Sequence, residues 1–305
     1  MRIVYPLLPL TLALLASNGA CGATPATFER HVAADPHGIV EISSTSGTID
    51  VAGWARAEVG VRAELGEDVD HVEVTSEHGR TSIRVMLRPH ASVALFSLHR
   101  DETHLHVKVP KDSELDVSTV SADVTSDGVQ GIQRLKTVSG GIVAEIGPAD
   151  VEAKSVSGDI RLRGHAQPAR LHVSTVSGDV RLEHAAGDLE TTTVSGTITV
   201  ALDPARSVRA RSTSGDIRFE GRLTRGADFE AQSVSGDLKV RAASEDGFQY
   251  EAATMSGDIS DCFNVAPERS SKYGPGHTLN GSRGAGGAHV RLKTLSGELT
   301  LCDHT

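Results

Sequence analysis

The residues of this 305-residue chain that could do chemistry come in columns, not in a cluster. An Asp stands two residues after a recurring Ser, at Asp159, Asp179, Asp216, Asp237 and Asp258, with Glu298 in the same phase and Gly141 and Thr197 interrupting. Carboxylates stacked about 5 Å apart repel one another and would welcome a cation, so a calcium ladder is one reading. Against it, Arg161, Arg181, Arg218 and Lys239 follow two residues later and can neutralise the column. The dense Gly-Gly-x-Gly-x-Asp pattern of calcium-binding repeats is also absent. The favoured reading is structural: each Asp accepts hydrogen bonds from backbone N–H groups at a bend. No metal and no cofactor is expected. The serines themselves are Ser139, Ser157, Ser177, Ser195, Ser214, Ser235, Ser256 and Ser296. A catalytic serine needs a base and an oxyanion hole at one place; a row of equivalent serines marks a bend instead, so no catalytic residue is expected. His104 and His106 share a strand face with His99 nearby, but no His-Glu-x-x-His or Cys/His cluster supports a metal site.

Three cysteines are present. Cys21 ends an export-leader pattern in which Arg2 gives a positive start, Leu7 to Ala16 is apolar and small residues follow. Residues 1–23 read as a signal peptide. Gly19 and Ala20 before Cys21 also fit a lipoprotein signal, whereas Asn18 stands where Leu is usual. Lipidation of Cys21 and its removal with the leader both stay open. Cys262 lies six residues after Ser256, and Cys302 six after Ser296. Equal phase in neighbouring repeats puts the Cα atoms about 4.8 Å apart, within the disulfide range of roughly 4.4–6.8 Å. An exported chain meets oxidising conditions, so a Cys262–Cys302 disulfide is expected.

Columns need a scaffold with a fixed period. The Ser-Gly serines advance by 18, 20, 18, 19, 21, 21 and 40 residues, the mark of a solenoid in which each repeat is one rung. Apolar residues alternate on both sides of the Ser, as in Val151, Ala153, Ile160 and Leu162 around Ser157. That gives two short strands per rung, broken at Ser-Gly and closed by a looser corner. Gly after the Ser suits a bend where φ may turn positive and no Cβ can crowd the next rung. The expected fold is all-β: a parallel β-helix or β-solenoid over 111–305, preceded by a small antiparallel module over 24–110. One copy of the phrase, Ser46-Gly47-Thr48-Ile49, falls in that module. It lies 75 residues before Ser121 and is expected to stand outside the regular stack. The double-length step places a glycine-rich excursion at 263–288, read as a mobile hairpin or loop thrown out of the stack. The rungs of Ser256 and Ser296 then adjoin.

Aromatic residues make up 3% of the chain and hydrophobic ones 38%, which suits a thin, elongated core. The formal net charge of −10 argues against nucleic acid or an anionic lipid surface as partner. Membrane attachment would run only through a lipid on Cys21. Val107-Lys108-Val109-Pro110, the Ser-Gly-Asp-Ile copies and the stretch from Ser46 to Trp54 resemble the bacterial putative-adhesin β-strand-repeat family, over roughly residues 38–302. The resemblance implies a β-helix-like fold in exported and envelope proteins, and brings no catalytic residues. The expected function is non-catalytic: adhesin-like binding or scaffolding in the periplasm, on the outer membrane or at the cell surface, toward an envelope polysaccharide or protein. A self-associating structural or envelope-stress signalling component is the alternative, and a polysaccharide-active β-helix enzyme the second alternative. The polar end Asp303-His304-Thr305 and the N-terminal module are expected to block both ends of the stack, which favours a monomer.

Overall fold

The computed structural model of the protein describes residues 26–88, 102–269 and 275–303. The leader with Cys21, His99, and the last two residues, His304 and Thr305, lie outside the described residues. Every described element is a strand. The N-terminal part gives β1 (Ala26–Ala33), β2 (Ile39–Trp54), β3 (Glu58–Leu65), β4 (Val69–Glu77), β5 (Arg80–Leu87) and β6 (His104–Pro110). The repeats follow as β7 (Glu114–Asp127), β8 (Gln133–Lys136), β9 (Ile142–Glu145), β10 (Val151–Lys154), β11 (Ile160–Arg163), β12 (Pro168–Ser174), β13 (Val180–Thr193), β14 (Ile198–Ser212), β15 (Ile217–Ser235) and β16 (Leu238–Ala243). The chain closes with β17 (Gly247–Ser256), β18 (Ile259–Asp261), β19 (Glu268–Arg269), β20 (His277–Gly284), β21 (Ala288–Ser296) and β22 (Leu299–Cys302). The protein is all-β.

Through the middle of the molecule the pairing is parallel, and each step joins like positions of successive repeats. Before the Ser, Val151 of β10 faces Gln133 of β8 and Leu171 of β12. After it, Ile160 of β11 faces Ile142 of β9 and Val180 of β13. From β13 onward one long strand crosses the second corner and serves both sides. Val180, Ile198 and Ile217 line up, as do Leu189, Val208 and Phe229. Period-2 alternation then sends one residue in two inward from each side. Val151, Ala153, Ile160 and Leu162 are all buried in one continuous core. Each such Val, Ile or Leu stabilises the fold by ~1.5–3 kcal/mol. Among the described residues the buried rings of this core lie toward the C-terminal end, where Phe219 and Phe229 are 4.6 Å apart, while Phe28 of β1 packs against it from the cap.

Two expectations are corrected at the ends. The N-terminal copy of the phrase is part of the stack: β2 pairs in parallel with β7, with Ser46 on Ser121 and Ile49 on Val124. The 75-residue step from Ser46 to Ser121 thus holds an insertion between stacked neighbours, running from the end of β2 to the start of β7. On the other edge of β2, β5 and β6 pair in parallel, at Ile42↔Ile83 and Val51↔Val107. Antiparallel strands lie beyond them: β4 on β5, then β3 on β6 and β1 on β3. The region is therefore a mixed cap, not an antiparallel module standing apart. Alternation along a strand is the same for a parallel and an antiparallel partner, so it could not distinguish the two.

The second correction concerns order. β21 pairs with β15 on one edge, Phe229↔Val290, and with β17 on the other, Tyr250↔Val290. β22 likewise sits between β16 and β18, with Leu299 facing Leu238 and Ile259. The last repeat in sequence is the next-to-last in space. The chain leaves a gap between β16 and β17, turns back through β19 and β20, and fills the gap with β21 and β22. β20 lies antiparallel on the outer edge of β17, Ala252↔Leu279. So the described part of the excursion is an antiparallel pair, β19 on β20, as the hairpin alternative expected, but it covers the outer edge of β17 instead of leaving the stack. Asp303 follows a repeat that is not the outermost. The glycines there serve close contact: a Cβ on Gly281 would lie 2.3 Å from the Tyr250 hydroxyl oxygen.

Candidate functional site

The Ser-Gly corner is the most repeated piece of chemistry in the molecule. Its inner hydrogen bonds come from the residue two before the Ser, which is buried. The hydroxyls of Thr119, Thr137 and Ser155 accept from the N–H groups of Ala122, Gly140 and Gly158 at 3.1, 3.0 and 2.8 Å. Those of Thr137, Ser155 and Thr175 also donate to the carbonyls of Ala122, Gly140 and Gly158, one repeat back, each at 3.4 Å. The Ser backbone N–H reaches back as well, as from Ser157 to the Val138 carbonyl at 2.8 Å. The serine side chains are exposed at the corner. They are spread along the stack, one per repeat, from Ser139 through Ser157, Ser177, Ser195, Ser214 and Ser235 to Ser296 and Ser256. Gly is demanded by the next repeat: a Cβ on Gly158 would sit 1.7 Å from the Gly140 carbonyl oxygen.

The Asp column ties repeats together. Asp123 accepts from the N–H of Gly141 at 2.7 Å, Asp159 from Asp179 at 3.0 Å, and Asp179 from Thr197 at 2.7 Å. Asp216 accepts from Asp237 at 3.1 Å, and Asp237 from Glu298 at 3.0 Å. The bonded N–H belongs to the next repeat, so the bond spans two levels instead of closing a turn within one. Asp258 lies on the outermost repeat. Arg161 and Arg218 pair with Asp159 and Asp216 at 2.9 and 2.8 Å, whereas Arg181 turns to Glu183 at 2.6 Å.

The outward face before the Ser carries a charge ladder. Five residues before each Ser, in spatial order, stand Glu41, Asp116, Arg134, Glu152, His172, Glu190, Arg209, Glu230, Arg291 and Glu251. Nearer the corner, Lys154 hydrogen-bonds Glu152 and holds its carboxyl below the usual range. Farther from it, Arg206 does the same to Asp188. A shallow cleft of about 520 Å³ lies on this face.

One residue before each Ser lies an apolar ridge. Val120, Val138, Val156, Val176, Val194, Val234, Leu295 and Met255 are each 43–59% exposed, with Thr45 at one end and Thr213 inside the row. A stacked ladder of side chains would need only contact with the levels above and below. These leave about half their surface in water.

A different kind of place lies on the N-terminal cap. Trp54, the one tryptophan of the chain, borders a cleft of about 550 Å³ with His31, Arg62, His106 and Lys108. Its indole N–H donates to the Glu58 carbonyl at 2.8 Å. The Arg56 guanidinium and the Lys108 ammonium stand 5.0 and 5.7 Å from the ring centre. His106 meets Asp50 at 3.1 Å, and His104 meets the Thr48 hydroxyl at 2.7 Å. Among the described residues no three His, Cys, Asp or Glu side chains gather as a set for a metal ion. At the other end Cys262 and Cys302 are joined, with Cα atoms 4.9 Å apart.

The sequence profile of the Toastrack DUF4097 family matches residues 37–302, the span of these stacked corners. The chain belongs to the Toastrack family. No curated protein matches it. Among solved structures, one similar to it is a putative lipid binding protein from Parabacteroides distasonis ATCC 8503, 12% identical with a TM-score of 0.48, covering 92% of this chain and 97% of that one. A putative adhesin from Parabacteroides merdae ATCC 43184 is 10% identical, with a TM-score of 0.41 over 92% and 96% of the two chains. A putative cell adhesion protein from Clostridium sporogenes ATCC 15579 is 7% identical, with a TM-score of 0.26 over 92% and 100%.

Sequence reasoning missed two features of this Toastrack chain. The ridge was signalled by Val recurring before the Ser, at 120, 138, 156, 176, 194 and 234. An apolar residue inside an alternating strand reads as core unless its phase is followed, and here the phase is outward. The Trp54 cleft had no periodic signal, because β1, β2, β3 and β6 form it from segments far apart in sequence.

Proposed function

We propose that this Toastrack protein is a non-catalytic β-solenoid that works outside the cytoplasm as an adhesin-like binding or scaffolding protein. One observation carries the reading: the residue types that could do chemistry are used to hold repeats together. The carboxylates of Asp123, Asp159, Asp179, Asp216 and Asp237 accept backbone N–H groups of the next repeat. The buried hydroxyls of Thr137, Ser155 and Thr175 donate to carbonyls of the repeat before, whereas those of Thr193 and Ser212 in the same column have no hydrogen-bond partner. What remains for a ligand is long, repetitive outer surface. The Cys262–Cys302 bond supports a place in an oxidising compartment.

Within that reading, the Trp54 cleft favours a polysaccharide over a protein as ligand. A partly exposed indole beside Arg, Lys, His and Glu side chains offers a flat apolar face next to hydrogen-bonding groups, the combination a sugar ring needs. A glycan array run beside a pull-down from envelope extracts tests it. Trp54 is the sole tryptophan, so its fluorescence reports this cleft directly. Binding of a glycan that shifts this fluorescence, and its loss in Trp54→Ala, is the expected outcome. Capture of a protein by both forms would move the reading to scaffolding. New reducing ends in the glycan would replace it with an enzyme.

A further inference from the structure

We propose that the apolar ridge is a self-association surface, on which two copies of this chain pack side by side with their stacks parallel. At three of its ten levels the ridge rises between a basic and an acidic side chain. Two residues before it, on the outward face of the first strand, stand Lys154, Arg211 and Lys293 at three levels. Three residues after it, across the corner, stand Asp159, Asp216 and Glu298 at the same three levels. Each cation also leans toward a glutamate of its own chain: Lys154 to Glu152, Arg211 to Glu230 at 3.7 Å, and Lys293 to Glu251 at 3.7 Å. On the acidic side Asp159 and Asp216 pair with Arg161 and Arg218 at 2.9 and 2.8 Å, so the interface exchanges intrachain partners for those of the second copy. The side chains of the three cations remain 42–51% exposed.

Pitch, charge and area select a second copy as the occupant. The first is pitch. A ridge with one apolar side chain every ~4.8 Å finds the same spacing along its whole length only in another such ridge. The second is charge. A two-fold axis along the stack sets each copy's basic flank against the other's acidic flank at these three levels, so that Lys154 faces Asp159 of the other copy. A two-fold axis across the stack would set like on like, which is repulsive. The third is area. Ten levels span ~43 Å, and the ridge with its two flanks is ~15 Å wide. That is roughly 650 Å² on each partner, or about 1,300 Å² in all, which falls within the range of specific interfaces. The monomer expected from the sequence considered only the ends of the stack. At those ends antiparallel strands cover β5, β6 and β17, and the ridge is lateral.

Single-cysteine crosslinking tests both contact and direction, in a Cys21→Ser background that keeps the Cys262–Cys302 bond. The ridge side chains are exposed, so Val138→Cys and Val234→Cys leave the fold intact. A parallel pair sets each residue opposite itself. Both variants are then expected to form disulfide-linked dimers on mild oxidation, and sedimentation of the wild type to show a concentration-dependent dimer. Val156→Lys with Val194→Lys should abolish that dimer while the melting curve stays in place. The flanks give a separate arm. A copy with Lys154, Arg211 and Lys293 all changed to Glu sets acid against acid across the two-fold axis and should lose self-association. A wild type that stays monomeric to high concentration overturns the proposal, as does crosslinking of Val138→Cys only to Val234→Cys in a mixture. Flotation with vesicles of zwitterionic lipid without any dimer would assign the ridge to a membrane instead. None of these readouts involves the Trp54 cleft, so the proposal can fail while the glycan reading stands, and the reverse.

Discussion

In the middle of the molecule, neighbours in sequence are neighbours in space; at its C-terminal end they are not. The repeats of Ser157, Ser177, Ser195 and Ser214 follow one another level by level. The repeat of Ser296 instead lies between those of Ser235 and Ser256. Both regions use the same phrase, the same alternation and the same corner. The difference shows that a repeat's residues specify which positions align but not which repeats adjoin. What selects the neighbour lies in the positions that vary, outward ones and inward ones such as Phe229, Val290 and Tyr250. The charge ladder is one such record. In spatial order it reads Glu230, Arg291, Glu251, with signs alternating. In sequence order it would set Glu230 beside Glu251.

The disulfide is the sharpest way to break the comparison. It ties the inserted repeat to the outermost one, while the middle of the stack is held without any covalent bond. The closed loop has a separation of 40 residues, for which chain entropy gives about 4 kcal/mol. Cys302→Ser should lower unfolding stability in guanidinium by up to that amount. Hydrogen exchange should speed up first in β17, β18, β21 and β22, with β9 to β12 unchanged. A uniform loss of protection along the stack would show that the end is no weaker than the middle.

In the middle, the corner itself is the weak point. Gly158→Ala drives a methyl against the Gly140 carbonyl oxygen, 1.7 Å away before relaxation. Overpacking of this kind costs about 1–3 kcal/mol. Chemical denaturation measures it, and a loss below about 0.5 kcal/mol would mean the repeats can part locally.

The Asp column compares the two regions directly. Asp179 accepts from the N–H of Thr197 at 2.7 Å, so Asp179→Leu should cost about 1 kcal/mol or more, and Asp179→Asn little. Asp258 lies on the outermost repeat, and it is Asp237 that accepts from the Glu298 N–H. Asp258→Leu should therefore be close to neutral. Equal costs at 179 and 258 would restore a stack in sequence order. Millimolar calcium should leave the melting temperature unchanged, and a rise of about ten degrees would reopen the cation ladder, since ligand binding to the native state stabilises it.

Much of this was legible beforehand because it is periodic. The all-β fold, the two strands about each Ser, the inward Ile160 and Leu162, and the alignment of Cys262 with Cys302 all follow from phase. Phase is blind to three things. It cannot say whether Ser46 stacks on Ser121 across an insertion, because a loop of any length preserves it. It cannot say that Ser296 precedes Ser256 in space, because the two share it. And it gives no weight to what a non-repeating cap assembles, so Trp54 and its neighbours remained separate residues until β1, β2, β3 and β6 came together.

The smallest effect tests the neighbour rule most directly. Arg291 sits opposite Glu230 on one side and Glu251 on the other, and its guanidinium reaches Asp228 at 3.3 Å. Cross-strand charge pairs contribute about 0.2–1 kcal/mol, and exposed ones fall at the lower end. A double-mutant cycle between Glu230 and Arg291, with each changed to Gln, should give a coupling of roughly 0.2–0.5 kcal/mol that shrinks in 1 M salt. The same cycle between Glu230 and Glu251 should give almost none, because the inserted repeat separates them by two levels, ~9.6 Å. In a stack built in sequence order the result reverses. Glu230 and Glu251 would repel, relieving either would stabilise the protein, and Arg291 would not sense Glu230. Urea titration of the four variants in each cycle distinguishes the two arrangements by sign as well as by size.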